Sequence, residues 1–104
     1  MFGPVYVFAT EPSEAPPADC VIEQNYPNPF NAGTEIRYSV RTPIHVSLRV
    51  YDILGREVAM LVDGVQPPGI HRVTFSSQMV SSGTYFYVFQ AGDFRDVRKM
   101  LVLR

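Results

Sequence analysis

From residue 34 onward, apolar and polar residues alternate with a period of two, and turn chemistry interrupts the alternation about every eight to twelve residues. A helix turns every 3.6 residues and cannot bury such a stripe, whereas a strand puts alternate side chains on opposite faces. Ile36, Tyr38 and Val40 alternate with Glu35, Arg37 and Ser39 until Thr42-Pro43 stops the run, since proline cannot donate to a ladder. Val46, Leu48 and Val50 alternate with His45, Ser47 and Arg49, and these first two strands are expected to be neighbours. The string Asp52-Ile53-Leu54-Gly55 reads as a compact turn. Residues 56–62 form a third strand, ending at Asp63-Gly64, and Gln66-Pro67-Pro68-Gly69 makes the next turn. Val73 and Phe75 mark a further strand, followed by a polar loop whose Met79 and Val80 tuck beneath the sheets. Residues 84–89 are apolar on both faces, as in a central strand, and residues 91–94 turn the chain into a terminal strand over 95–103.

The expected fold is therefore all-β, an immunoglobulin-like antiparallel sandwich of about seven strands. With 104 residues there is room for one small domain and little for a deep catalytic cleft. Residues 1–19 set a short apolar alternation at 5–9 before a proline-rich acidic stretch at 10–19, and they read as a linker or the tail of an upstream domain. Residues 20–104 are the domain proper. Cys20 is the single cysteine, so no intrachain disulfide supports the core. No run reaches the roughly 18 apolar residues of a membrane-spanning helix, and the N-terminus lacks the basic and apolar regions of a secretory signal. If the domain is exported, it is expected to be the later part of a longer chain.

Charge is distributed unevenly. Glu11, Glu14, Asp19, Glu23 and Glu35 face no base over residues 1–36, while residues 37–104 hold all nine bases against five acids. A net charge of −1 argues against a nucleic-acid footprint. The two histidines, His45 and His71, sit in strand patterns with no adjacent nucleophile, and one cysteine with two scattered histidines has no metal-ligand spacing. We expect no cofactor and no resident metal; loop carboxylates Asp52, Asp63 or Asp93 holding a calcium ion is the alternative. Tyr85, Phe86, Tyr87 and Phe89 read as core, with a sugar-stacking platform as the alternative that the lack of tryptophan disfavours. Arg95, Arg98, Lys99 and Arg104 read as edge-strand cations that block aggregation, or as a contact surface for a partner.

The string Asn25-Tyr26-Pro27-Asn28-Pro29-Phe30-Asn31 holds all three asparagines of the chain. Two X-Pro steps restrict Tyr26 and Asn28, and asparagine side chains tie to nearby backbone, so a structured leading loop is expected. Tyr26 and Phe30 are expected to plug the end of the sandwich.

With that string, four others resemble a known family. They are Tyr51-Asp52-Ile53-Leu54-Gly55-Arg56-Glu57-Val58 running on to residues 61–64, Pro68-Gly69, Ser82-Gly83-Thr84-Tyr85-Phe86-Tyr87, and Lys99-Met100-Leu101-Val102-Leu103. In this order and spacing they resemble the type A C-terminal sorting domain of the type IX (Por) secretion system, over about residues 22–104. Ala32-Gly33 stands where the family usually has Pro-Ser.

The resemblance implies an immunoglobulin-like module at the C-terminus of a larger exported protein, not an enzyme. It further implies recognition by an outer-membrane translocon after passage through the periplasm, frequent removal by a sortase-like peptidase, and a cargo that ends on the cell surface or outside. The end at Leu103-Arg104 suits a C-terminal signal, and residues 10–19 suit a peptidase-accessible linker. Pairing of a machinery component with the backbone of residues 95–103 is a physical route to recognition, with Arg98 and Lys99 setting register. A fibronectin type III-like spacer or a carbohydrate-binding module of a secreted enzyme is the alternative function.

Overall fold

The computed structural model describes residues 20–103, so the expected strand at 5–9, the linker at 10–19 and Arg104 lie outside the described residues. Seven strands follow in chain order: β1 (Cys20–Ile22), β2 (Gly33–Val40), β3 (Ile44–Tyr51), β4 (Glu57–Gln66), β5 (Gly69–Ser76), β6 (Gly83–Ala91) and β7 (Phe94–Val102). They form a three-stranded sheet in the order β1-β2-β5 and a four-stranded sheet in the order β4-β3-β6-β7, with every pairing antiparallel.

The alternation read from the sequence becomes the core. Ile36, Tyr38 and Val40 of β2 face Val46, Leu48 and Val50 of β3 and Tyr85, Tyr87 and Phe89 of β6, all buried. Tyr38 and Phe89 meet across the two sheets with ring centroids 5.2 Å apart. Each such side chain contributes about 1.5–3 kcal/mol through burial alone. The core is continuous from Cys20 to Val102, which suits a domain with no disulfide to hold it.

Two expectations are corrected. β2 and β3 are not neighbours: the Thr42-Pro43 step carries the chain from one sheet to the other, and its proline, with fixed φ and no N–H, does not close a hairpin back onto β2. The third strand does not end at Asp63-Gly64 but runs to Gln66, where Pro67-Pro68 crosses back to the first sheet. The glycine is accommodated because Gly64 pairs with Val46 as an ordinary extended residue of an edge strand. β1, three residues long, shows no readable alternation, yet it pairs with β2 through Val40, Ser39 and Tyr38. Val80 is buried as expected, while the Met79 side chain lies outside the described ones. At the β6–β7 hairpin, Gly92 has φ 58° and an added Cβ would come within 2.9 Å of Ile44 Cδ1, so a larger residue there would be both strained and crowded.

Candidate functional site: the leading loop and the terminal strand

The loop from Asn25 to Asn31 is built around one buried side chain. Asn25 Nδ2 donates to Thr34 Oγ1 at 2.9 Å and to the Pro27 carbonyl at 3.1 Å, while its Oδ1 accepts from Gln24 Nε2 at 2.7 Å. Its backbone N–H donates to the Tyr87 hydroxyl at 2.8 Å, and that hydroxyl donates to the Glu23 carbonyl, also at 2.8 Å. Tyr87 therefore ties β6 of one sheet to the segment entering β2 of the other. Burial pushes the Tyr87 phenol up to about 12. Pro27 and Pro29, both preceded by cis peptide bonds, add no N–H that would need a partner, and Thr34 Oγ1 satisfies the Pro27 carbonyl a second time at 2.8 Å.

The same loop clamps the outer edge of β7. Gln24 Nε2 donates to the Lys99 carbonyl at 2.8 Å, and Leu101 N–H donates to Asn28 Oδ1 at 3.0 Å. Phe30 N–H then donates to the Leu101 carbonyl at 3.1 Å, and Leu103 N–H to the Phe30 carbonyl at 2.8 Å, a parallel bridge opposite Val102. The Phe30 ring, 2% exposed, enters the core and meets Phe75 edge-on at 6.2 Å. Asn31 and Ala32 give their carbonyls to Ser77 Oγ and Ser77 N–H at 2.8 and 2.9 Å, which fastens the far end of the loop to the turn after β5.

Phe30 thus plugs the sandwich as expected, but Tyr26 does not: it is 80% exposed. The reason lies in the register. Tyr26 and Glu35 exchange backbone bonds as an antiparallel pair, paired residues share a face, and Glu35 lies on the outer face. The edge on which a partner was expected to pair over residues 95–103 is already occupied in part, since the Lys99 carbonyl, both groups of Leu101 and the Leu103 N–H are taken by the loop. Arg98 and Lys99, both expected to set register, do not share a face. Arg98 sits on the opposite face of the strand, where its guanidinium meets Asp96 Oδ2 at 3.2 Å.

The second string forms a closed turn. Asp52 Oδ1 accepts from the N–H groups of Leu54 and Arg56, each at 2.9 Å, and Oδ2 accepts from Arg56 Nε at 2.9 Å. The Arg56 amide first, with the Arg56 side chain and the Leu54 amide, holds the Asp52 carboxyl below the usual range. Gly55 closes the turn at φ 85°, where a side chain would be strained. Ile53 and Leu54 are left exposed at the tip. Both Asp52 oxygens accept from protein donors, and Asp63 Oδ1 lies 3.1 Å from His45 Nε2. His71 stacks on Tyr38 at 5.2 Å with Nε2 2.7 Å from the Pro67 carbonyl.

Four of the five motif strings converge. Gly83 at the start of β6 pairs with Val102, Val102 bridges to Phe30, and the 52–56 turn shares a shallow groove with residues 81–85. Tyr85 is buried and its hydroxyl donates to the Ser81 carbonyl at 2.7 Å, while Tyr51 lies on the outer face with its backbone opposite Phe86. Met100 and Val102 face the core, and Lys99 and Leu101 face outward. Gly69 alone lies at the opposite end, opening β5 across from Val40. Tyr85, Tyr87 and Phe89 all point inward, so β6 offers no sugar-stacking platform made of them. Gln24 and Thr34 lie outside the motif strings, and Tyr87 belongs to one of them but reads from the sequence only as core. A hydroxyl inside an apolar strand was the available signal for Tyr87, because a buried phenol has to find a partner.

Comparison with known families matches residues 24–103 to the secretion system C-terminal sorting domain. Among solved structures, the chain is similar to PorZ, described as an essential bacterial surface component of the type-IX secretion system of Porphyromonas gingivalis. The two share 18% identity at a TM-score of 0.56, over 82% of this chain and 11% of that one. It is also similar to the sulfur carrier protein SoxY from Chlorobium limicola, with 16% identity and a TM-score of 0.43 over 85% of this chain and 82% of that one. No curated protein matches the chain. The family match spans the leading loop, the Asp52 turn and the clamped terminal strand, and the chain belongs to the C-terminal sorting domains of the type IX secretion system.

Proposed function

We propose that the sorting signal carried by this domain is the composite of leading loop and clamped terminal strand, read as one folded surface. As a member of its family the domain is a C-terminal sorting signal for type IX secretion, implying export to the cell surface or beyond and interaction with the secretion machinery. A sorting signal of this kind is not itself a catalyst. The observation that carries the composite reading is the set of bonds between Gln24, Asn28 and Phe30 and the backbone of residues 99–103, which joins strings 71 to 75 positions apart. A linear tail would need no such clamp. On this reading residues 1–19 link the domain to an upstream cargo, the fusion crosses the periplasm before the outer-membrane translocon meets the folded domain, and a sortase-like peptidase cuts within residues 10–19. The exposed Tyr26 and Leu103 and the Ile53–Leu54 tip lie on the converged end as contact residues.

The test fuses the 104-residue chain behind a reporter with an ordinary signal peptide, in a strain with the type IX machinery and in its translocon-deficient twin. Protease accessibility on intact cells scores the surface. Exposure only in the competent strain, lost in an Asn28→Ala variant that still folds, is the expected result. A reporter protected in both strains, or an Asn28→Ala fusion exported like the parent, contradicts the composite signal. Mass spectrometry of the exported reporter tests cleavage, which fails if residues 22 onward remain attached.

A further inference from the structure

The clamp covers only part of β7. In an antiparallel strand, N–H and C=O of one residue point the same way and alternate along the chain, so the groups aimed away from β6 belong to residues 95, 97, 99, 101 and 103. The loop occupies the Lys99 carbonyl, both groups of Leu101 and the Leu103 N–H. Among the described residues, the outward backbone groups of Arg95 and Val97 and the Lys99 N–H pair with no other strand. On the outer face the same stretch presents Arg95, Val97 and Lys99, cation, apolar, cation. Val97 continues into an apolar trough with Val88, Phe86 and Tyr51. The opposite face offers the self-neutralised Asp96–Arg98 pair and asks for no charge.

We propose that Phe94 to Lys99 is a docking edge that adds one extended strand of a partner protein, with acidic, apolar and acidic side chains facing Arg95, Val97 and Lys99. Main-chain bonds supply the attraction and the cross-strand pairs supply the selection. Gln24 and Asn28 act as the register stop, because the added strand cannot run past Lys99 without displacing them. A second copy is the poorer occupant. Two β7 edges would oppose cation to cation, and the β4 edge, although it carries Glu57 and Asp63, shifts register at two points opposite β3 and presents no even ladder. The inference rests on the sorting function only in placing the partner strand within the secretion machinery.

The test titrates the 15N-labelled 104-residue chain with a short synthetic peptide of alternating glutamate and valine, and separately with its lysine-for-glutamate counterpart. Shifts and slowed exchange confined to the Arg95, Val97 and Lys99 amides are expected, with binding weaker by about tenfold for the lysine peptide. The Arg95→Glu, Lys99→Glu double variant should reverse that preference. Val97→Pro removes an outward donor without touching the β6 ladder and should abolish binding of both peptides, with unchanged Leu101 and Leu103 shifts reporting an intact clamp. Equal binding of the two peptides, perturbation at Leu101 and Leu103 instead, or no binding would overturn the proposal. So would concentration-dependent self-association by sedimentation that Glu57→Lys and Asp63→Lys abolish, because the edge would then belong to a second copy. Loss of peptide binding with export of the reporter preserved removes the docking edge and leaves the sorting function, whereas failed export with the edge intact does the reverse.

Discussion

The two halves of β7 share one neighbour, one alternation and one backbone pattern, yet differ in what covers their outer edge. From the Lys99 carbonyl to the Leu103 N–H the edge is closed by Gln24, Asn28 and Phe30; from Phe94 to the Lys99 N–H it is open among the described residues and flanked by cations. An edge strand is a hazard that proteins manage by covering it or by charging it, and this strand uses both devices in succession. The closed half coincides with the terminal motif string, and the string that closes it is the other end motif. Two motifs far apart in the chain are thus one structural feature, whose first part exists to hold its second.

The largest effect on this contrast is expected from Phe30→Ala, which empties a core position and frees the loop from its anchor against Phe75. A loss of about 3–5 kcal/mol in denaturant unfolding is expected. Tyr87→Phe comes next at about 1–3 kcal/mol, because it strands the Asn25 N–H and the Glu23 carbonyl. The Tyr87 phenol, pushed up to about 12, stays protonated in the fold where the unfolded chain ionises near ~10. Its contribution is full below about pH 10 and is lost as the pH rises through about 12, with a slope of about 1.4 kcal/mol per unit that Tyr87→Phe should erase.

Asn28→Ala is expected to cost only about 0.5–1.5 kcal/mol while loosening the closed half selectively. Asp52→Asn is the smallest, a change in the acid limb alone. A carboxyl held below its ordinary value stabilises the fold above about pH 4 and stops doing so as the pH falls through the lowered value. Melting curves across pH 2 to 7 should therefore be flatter for Asp52→Asn than for the parent, with the open half of β7 unaffected.

Period-two alternation made the sandwich and its inward faces legible from Ile36 to Val102, because burial on one side is what that period encodes. Which sheet each strand joins was not legible: local patterning reads β2 and β3 as neighbours, and only the sheet crossing at Thr42-Pro43 separates them. The Asp52 turn was readable because its bonds span at most four residues. The clamp was not, because Asn28 to Leu101 is a side chain to backbone bond across 73 residues and leaves no period behind. Tyr26 was misread for a related reason, since its face is set by pairing with Glu35 rather than by its apolar character.

The most direct measurement of the clamp is amide hydrogen exchange along β7 in the free chain, read residue by residue. Slow exchange at Leu101 and Leu103 beside fast exchange at Arg95 and Val97, with Leu101 turning fast in Asn28→Ala, is the predicted result. Equal exchange at these four amides, or protection at Leu101 that survives Asn28→Ala, would show that the leading loop does not hold the terminal strand.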